Sequence, residues 1–264
     1  MSEAPESRGG ERVMSFWDHL EELRWRIIKS ILAVLVGGTA SLVFSDRLLA
    51  LLMFPAHSLG ERVRLINLTP LSMVIVRLYI AFVAGIVVAL PVVVFQLWGF
   101  VSPGLYRRER RAIVWVLVST MALFALGAAL SYAMMPYLLR FLVSAGYQGV
   151  ENAWNIREYI GFLLGFMTAF GVVFELPVVI YILSVAGLVT PAFLRRYRRH
   201  AYVLVFIVAA VLTPSPDPFS QIAMAVPLVV LFEASIFVSA SVWKRKARRR
   251  LAQIEEREHA SAEG

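Results

Sequence analysis

Residues 91–111 read P-V-V-V-F-Q-L-W-G-F-V-S-P-G-L-Y-R-R-E-R-R, an apolar helix end that runs into a polar turn. Pro103 lacks an amide hydrogen and Gly104 permits turn geometry, so these two residues predict the end of the helix. Four arginines and Glu109 follow within five positions, and a new apolar run begins at Ala112. A basic turn this tight between two membrane-length apolar segments predicts the cytoplasmic side of a membrane.

The bulk composition also indicates a membrane protein. The chain has 264 residues, 59% of them hydrophobic, and a formal net charge of +8. Its mean hydropathy of +0.72 is far above that of a soluble domain. A positive balance in such a chain favours lysines and arginines at a membrane face over a nucleic-acid partner. The chain has no cysteine, its four histidines lack zinc-site spacing and it contains no phosphate-loop motif, so we expect no metal, cofactor or catalytic residue.

The N-terminal region predicts a tail followed by an amphipathic helix. Residues 1–14 are polar, which predicts a disordered tail that is not a signal peptide. Ser15 is a predicted N-cap, and apolar residues recur along one stripe of residues 16–27. This stripe predicts a helix at the membrane surface that runs into the first span. From the residues alone, Glu22 on its polar face could simply pair with Arg26 at i,i+4.

Six apolar segments predict an all-α polytopic membrane protein with six transmembrane helices. Within a membrane domain of residues 15–243, we expect spans at residues 27–44, 73–98, 112–134, 159–187, 201–213 and 219–241, followed by a basic and then polar tail at 244–264 that frays. Twenty of the 26 lysines and arginines fall in segments assigned to the inner side, and five fall outside. This bias predicts that the N- and C-termini are both cytoplasmic. Gly37-Gly38 is a predicted helix-packing contact, and G-F-L-L-G at 161–165 is a weaker one.

The connections between spans carry further predictions. The first outer loop is too apolar for a free linker and predicts a short helix that ends before Pro55, and span three is expected to stop at Pro136. The fifth and sixth spans are predicted to be short. Thirteen residues at 201–213 give about 20 Å, against a hydrocarbon core of about 30 Å. The turn P-S-P-D-P at 214–218 should therefore lie below the outer membrane surface.

One acidic residue is predicted near the middle of the membrane. Glu175 lies in F-G-V-V-F-E-L-P-V, roughly 18 Å from the inner end of span four. A carboxylate there costs about 2.5–3.5 kcal/mol on insertion scales, which marks it as a functional candidate. Pro177 leaves the carbonyl of Val173 without its helix donor and predicts a kink. The structural alternative is a protonated glutamate that is hydrogen-bonded inside the bundle.

Four motifs, taken together, resemble the TatC family of twin-arginine protein translocases. They are H-L-E-E-L-R at 19–24, Q-L-W-G-F-V-S-P-G-L-Y-R-R-E-R-R at 96–111, F-G-V-V-F-E-L-P-V at 170–178 and L-T-P-S-P-D-P-F-S-Q at 212–221. The resemblance covers about residues 15–243. Two departures exist: Pro70-Leu71-Ser72 stands where many members place an acidic residue, and T-P-S-P-D is one residue longer than the T-P-P-D of some members.

The resemblance implies a receptor in the bacterial cytoplasmic membrane. Such a receptor recognises signal peptides with two consecutive arginines on folded cargo, and transport uses the proton-motive force. It implies that Glu22 and Glu109 accept the arginine pair, with His19, Leu20 and Arg24 in the same patch. A carboxylate accepts a planar guanidinium bidentately, which an ammonium cannot reproduce. The alternative for Glu109 is a counter-ion for its arginine neighbours.

The resemblance also implies partners. Glu175 corresponds to the family's intramembrane glutamate, and Thr213 and Gln221 match the polar positions where the single-span subunits TatA and TatB dock. The other positions that match family motifs are Phe100, Pro103, Asp217 and Glu233. The resemblance further implies that several copies of the chain are present in each complex and that they contact membrane lipid. It implies no nucleic-acid partner.

Two alternatives come from other functional classes. A secondary transporter of a small solute would use Glu175 as a proton or ion site and would show inverted repeats and paired broken helices. The sequence shows no such internal symmetry. An intramembrane enzyme would need a nucleophile with its base, or a metal constellation. The predicted spans contain no histidine and no paired acids at ligand spacing, so we expect no enzyme.

Overall fold

The structure, a computed structural model, describes residues 16–60, 63–101, 113–144, 146, 152–212 and 218–262. In chain order, its elements are α1 (Phe16–Leu42), α2 (Ser45–His57), β1 (Arg64–Ile66), α3 (Ser72–Val101), α4 (Ile113–Ser144), β2 (Ala153–Asn155), α5 (Ile156–Phe174), α6 (Leu176–Ala186), α7 (Pro191–Arg196), α8 (Arg198–Leu212) and α9 (Pro218–Ala262). The amphipathic helix and the first span are one continuous helix, α1, as predicted.

Five helical segments of the described chain are long and apolar enough to cross a membrane. They are Leu20–Leu42, Ser72–Phe100, Ile113–Ser144, Ile156–Ala186 and Met224–Glu255. The predicted fifth span corresponds to α8, whose 15 residues extend only about 22 Å. Large apolar side chains such as Val36 and Val211 face outward, as expected for surfaces in contact with lipid. The prediction of a polytopic all-α membrane protein is confirmed.

Close backbone contact joins α1 to α3. A Cβ atom placed on Gly85 would overlap the backbone of Gly38 and lie 2.9 Å from the carbonyl oxygen of Val34, and one on Gly37 would lie 2.9 Å from the carbonyl oxygen of Gly85. Small residues at membrane helix interfaces allow backbones to approach this closely. The packing contact predicted at Gly37-Gly38 therefore exists, and Gly85 is its partner on α3.

The outer helix α2 does not end before Pro55, so that prediction is wrong. Pro55 lies inside α2, where it cannot donate to the carbonyl of Leu51. The Tyr132 hydroxyl of α4 donates to that carbonyl instead, at 2.8 Å. The Tyr159 hydroxyl of α5 donates to the carbonyl of Leu52, also at 2.8 Å. These two bonds hold α2 on the outer ends of the membrane helices.

Two further differences concern the second outer loop. Span three does not stop at Pro136, because α4 continues through this proline to Ser144. Prolines are tolerated in membrane helices where neighbouring groups satisfy the freed carbonyls. The sequence analysis also missed the strands β1 and β2, which pair in parallel from Arg64 with Ala153 to Ile66 with Asn155. This pair joins the two outer loops, and α5 begins directly after it.

The C-terminal segment is helical, which corrects the prediction that it frays. α9 continues without a break to Ala262. Beyond the predicted membrane boundary, the Lys246 Nζ donates to the carbonyl of Val185 at 2.5 Å. The Trp243 Nε1 donates to the carbonyl of Val189 at 2.9 Å. These bonds anchor α9 to the end of α6. The residues that follow extend a helix that is already formed, which is easier than starting a new one.

Candidate functional site

Glu22 lies on α1 near its cytoplasmic end and already holds a guanidinium. Its Oε1 atom accepts hydrogen bonds from Arg26 Nη2 at 2.5 Å and from Arg26 Nε at 3.0 Å. The Arg26 and Glu22 side chains are 22% and 20% exposed. The i,i+4 pair, which the sequence offered as the structural alternative for Glu22, is therefore formed, and it is partly shielded from water.

Arg26 also joins α1 to the cytoplasmic end of α3. Its Nη1 donates to the backbone carbonyl of Gln96 at 3.2 Å. A side chain at Gly99 would overlap the guanidinium, so this position must stay small for Arg26 to reach α3. The C-terminal end of a helix carries partial negative charge, which favours a cation at this place. Glu22 and the end of α3 thus form a site that accepts a guanidinium.

The structure describes only part of the predicted signal-binding set. The Leu20 side chain is 41% exposed and Arg24 is exposed, both on the cytoplasmic part of α1. The backbone of His19 lies in α1, but its side chain is outside the described residues, as are Glu109 and Pro103. Phe100 lies in the last turn of α3 and is partly buried.

A break in the fourth membrane segment surrounds Glu175. It is the one residue between α5 and α6, and its N–H bonds to the carbonyl of Val172 at 3.1 Å. The break lies two residues before Pro177, so the predicted kink is confirmed. The Thr120 hydroxyl of α4 faces the Glu175 carboxyl. Glu175 Oε1 and Thr120 Oγ1 are buried, and neither atom has a hydrogen-bond partner among the described residues.

The short hairpin of α8 and α9 contains the remaining predicted positions. Gln221 Nε2 donates to the carbonyl of Phe206 at 3.1 Å. Glu233 accepts from Arg198 Nη2 and from the Tyr202 hydroxyl, each at 2.6 Å. Beside Gln221, α8 presents a shallow groove of about 490 Å³. Thr213 and Asp217 lie outside the described residues.

Sequence reasoning missed four contributors to these sites. Arg26 was considered only as a partner for Glu22, and Gln96, Gly99 and Thr120 were not assigned a role. Gly99 carried a weak signal, because a glycine one turn before a helix end permits close approach of another group. Thr120 carried none, because its contact with Glu175 depends on how two distant helices pack.

These features define a multi-pass helical membrane protein with a guanidinium-accepting carboxylate at its cytoplasmic face and a carboxylate at a helix break inside a segment of membrane-spanning length. For the described residues, no group of three or more acidic or histidine side chains could hold a metal ion. The chain belongs to the family of Sec-independent protein translocase proteins (TatC), which matches residues 18–227. It is therefore a component of a protein translocase in the bacterial inner membrane.

The relatives named here align with this chain over nearly their whole length. A Sec-independent protein translocase protein TatC of Aquifex aeolicus (strain VF5) is 35% identical over 236 residues, which are 88% of this chain and 98% of that protein. One from Carboxydothermus hydrogenoformans is 38% identical over 230 residues, or 87% and 94% of the two chains. A solved structure described as the crystal structure of the twin arginine translocase receptor TatC superimposes with a TM-score of 0.74 at 36% identity, over 85% of this chain and 99% of that one. These findings give no support to the small-solute transporter alternative.

Proposed function

We propose that this chain is the signal-receptor subunit of a twin-arginine translocase. It binds the arginine pair of folded precursor proteins through Glu22 and Glu109 at the cytoplasmic face and organises their export with the proton-motive force. The observation that carries this proposal is the Glu22 carboxylate with a guanidinium already bound. Arg26 occupies the position that a signal arginine would take.

The geometry explains how a signal could be read. An incoming arginine exchanges with Arg26 or joins it, because a carboxylate has about four lone-pair sites for donors. Charge-assisted, bidentate contacts favour arginine over lysine at such a position. Partial shielding raises their strength above that of a fully exposed pair, which is worth about 0–1 kcal/mol. Arg26 then links occupancy of the site to α3 through its bond to Gln96.

The connectivity supports a second carboxylate nearby. α3 ends at Val101, and Glu109 follows eight residues later in the same basic connection. The end of α3 that contacts Arg26 is thus the start of the segment that carries Glu109. Two carboxylates at this face match two consecutive arginines in number and charge.

Glu175 is proposed to act after the signal is bound. Its carboxyl lies at a helix break beside Thr120, about 150 residues away in sequence from the Glu22 site and on a different pair of helices. A carboxyl next to a broken helix can exchange partners when the helices rearrange.

We expect the Glu175→Gln variant to insert into the membrane and to bind signal normally. Its transport of a folded reporter should fall at least tenfold, because the exchange of partners needs the carboxyl. Signal cross-linking and reporter uptake into inverted membrane vesicles measure the two steps separately.

Glu158→Gln is the matched control, because Glu158 is an exposed carboxylate at the opposite end of α5. It should transport as well as the parent. Unchanged transport by Glu175→Ala would mean that the residue has only a structural role and would contradict the proposal.

Single-span TatA- and TatB-type subunits are the proposed partners of the α8–α9 hairpin. α8 is about 8 Å shorter than the hydrocarbon core, and mismatch costs fractions of a kcal/mol per Å. A partner helix laid in the groove beside Gln221 would shield the short side and relieve part of this cost. Ile207 and Val203 line the groove and are exposed, so an apolar helix can pack there.

Gln221→Leu should change which partner helix is captured, or where along it. Interhelical hydrogen bonds in membranes average about 0.6 kcal/mol, so we expect a shift of about threefold in the ratio of cross-linked partners. Photo-cross-linkers at positions 207 and 213 read out this ratio, and signal binding should stay unchanged. Ile222→Leu, which alters the neighbouring exposed side chain without removing an amide, is the control. If both positions capture only lipid in an assembled complex, the docking surface lies elsewhere.

A further inference from the structure

A cavity lies between α4, α6 and α9. Its volume is about 480 Å³, within the range of about 300–1,000 Å³ that small-molecule sites occupy. The wall is apolar and includes Val116, Leu123, Val178 and Val238, whereas Trp115 and Arg245 form one end. Nothing in the proposed receptor function uses this cavity.

The length of the cavity is close to the thickness of one membrane leaflet. Leu123 lies eight residues along α4 from Trp115, which corresponds to about 12 Å along the helix. Val238 and Arg245 are two helical turns apart on α9, or about 10 Å. Half of the hydrocarbon core is about 15 Å thick. The apolar wall therefore has the depth of an inner-leaflet acyl chain, with Trp115 and Arg245 at the level of the headgroups.

The charge at the mouth selects the kind of ligand. Arg245 is the only charged residue among the described residues that line the cavity, and it is exposed. None of the ion pairs found among the described residues involves it. Lys244 and Arg248 beside it are also exposed, which adds positive potential at this level. Trp115, whose side chain is 77% exposed, has the amphipathic character of residues at the membrane interface.

We propose that an anionic phospholipid of the inner leaflet occupies this cavity, with an acyl chain along Val116, Leu123 and Val238 and its phosphate on Arg245. A clustered basic segment directly after a membrane helix attracts anionic headgroups. The rival occupant is the apolar part of a signal peptide. Such a signal carries positive charge beside its apolar part, so Arg245 would repel it. Charge complementarity thus favours the lipid.

The test uses the full chain in nanodiscs that contain equal amounts of phosphatidylglycerol and phosphatidylcholine. Either lipid carries a photoactivatable group in its acyl chain, and cross-linked peptides are mapped by mass spectrometry. We expect phosphatidylglycerol to label the segments at 115–123 and 238 about fivefold more than phosphatidylcholine. Arg245→Gln should reduce this preference to near equality.

Arg250→Gln is the matched control, since it removes the same charge from an exposed position of α9 that does not line the cavity. It should retain the preference. Val238→Phe, which fills part of the cavity, should lower labelling by both lipids while labelling elsewhere on the folded chain persists. The proposal would be overturned if the two lipids labelled these segments equally, or if Arg245→Gln and Arg250→Gln lost the preference for phosphatidylglycerol to the same extent. Displacement of both lipids by a signal peptide would also overturn it.

Discussion

Glu22→Gln combined with Glu109→Gln is expected to weaken binding of a twin-arginine signal by about a hundredfold. A hydrogen bond to a charged group contributes about 1.5–3 kcal/mol, so two such pairs correspond to about 10²–10⁴ in affinity. The exposure of Glu22, about a fifth of its side chain, places the effect at the lower end. Each single variant should lose about tenfold. Binding of a labelled signal peptide to the chain in nanodiscs measures both effects.

The controls separate recognition from folding. Glu21→Gln removes an exposed carboxylate from the preceding position of α1 and should bind signal as the parent does. A twin-lysine signal should bind the parent weakly, because an ammonium cannot make the bidentate contact. If Glu22→Gln and Glu109→Gln both cross-link to the signal as well as the parent, the two carboxylates are not its receptor.

Gly85→Ala is expected to have the largest effect on stability. The added Cβ would overlap the backbone of Gly38, and a backbone cannot rotate away as a side chain can. Overpacking costs about 1–3 kcal/mol and sometimes more, so the midpoint of thermal unfolding in detergent should fall clearly. Signal binding should fall with it, because separation of α1 from α3 breaks the contact of Arg26 with Gln96.

Gly161→Ala provides the matched control within the membrane. The added Cβ atom would have Tyr79 Cε1 as its nearest neighbour, at 3.9 Å, which is an ordinary van der Waals contact. This variant should therefore unfold at the parent's temperature. Equal stability of both glycine variants would show that α1 and α3 do not depend on backbone contact.

The class of the protein could be predicted from simple properties of the chain. Apolar segments of membrane length and the placement of lysine and arginine indicate spans and orientation without reference to tertiary contacts. The break at Glu175 was also predictable, because Pro177 removes a backbone donor from the helix. These signals are local, so they are readable from the sequence.

Contacts between distant segments account for what could not be predicted. Pro55 and Pro136 stay inside helices, and for Pro55 the compensating donor is Tyr132, a residue far away in sequence. The strand pair at Arg64 and Ala153 requires two loops to meet. Likewise, Lys246 attaches α9 to α6 through a contact between residues 61 positions apart.

The candidate site also has features that local sequence predicts and features that depend on contacts between distant segments. Its carboxylates were identified from motifs, and the pairing of Glu22 with Arg26 followed from helical spacing. The reach of Arg26 to Gln96 did not, because it requires the cytoplasmic ends of α1 and α3 to lie side by side with Gly99 between them. Glu109 and Thr213 lie outside the described residues, and the Glu109→Gln variant and the cross-linker at position 213 test their proposed roles.

α9 has the mechanical properties of a long rod with a pivot. Its 45 residues extend about 67 Å, and bonds from Ser239 to Ser184, from Trp243 to Val189 and from Lys246 to Val185 hold it to α6 and the residues that follow α6, which together form the pivot. About 24 Å of helix lies beyond Lys246, the last of these anchored residues, so a tilt of about 5° displaces Ala262 by about 2 Å. On the other side of the pivot, Glu233 attaches the rod to α8 through Arg198. A partner that pushes α8 sideways therefore moves the cytoplasmic tip of α9 over a larger arc, in the opposite direction.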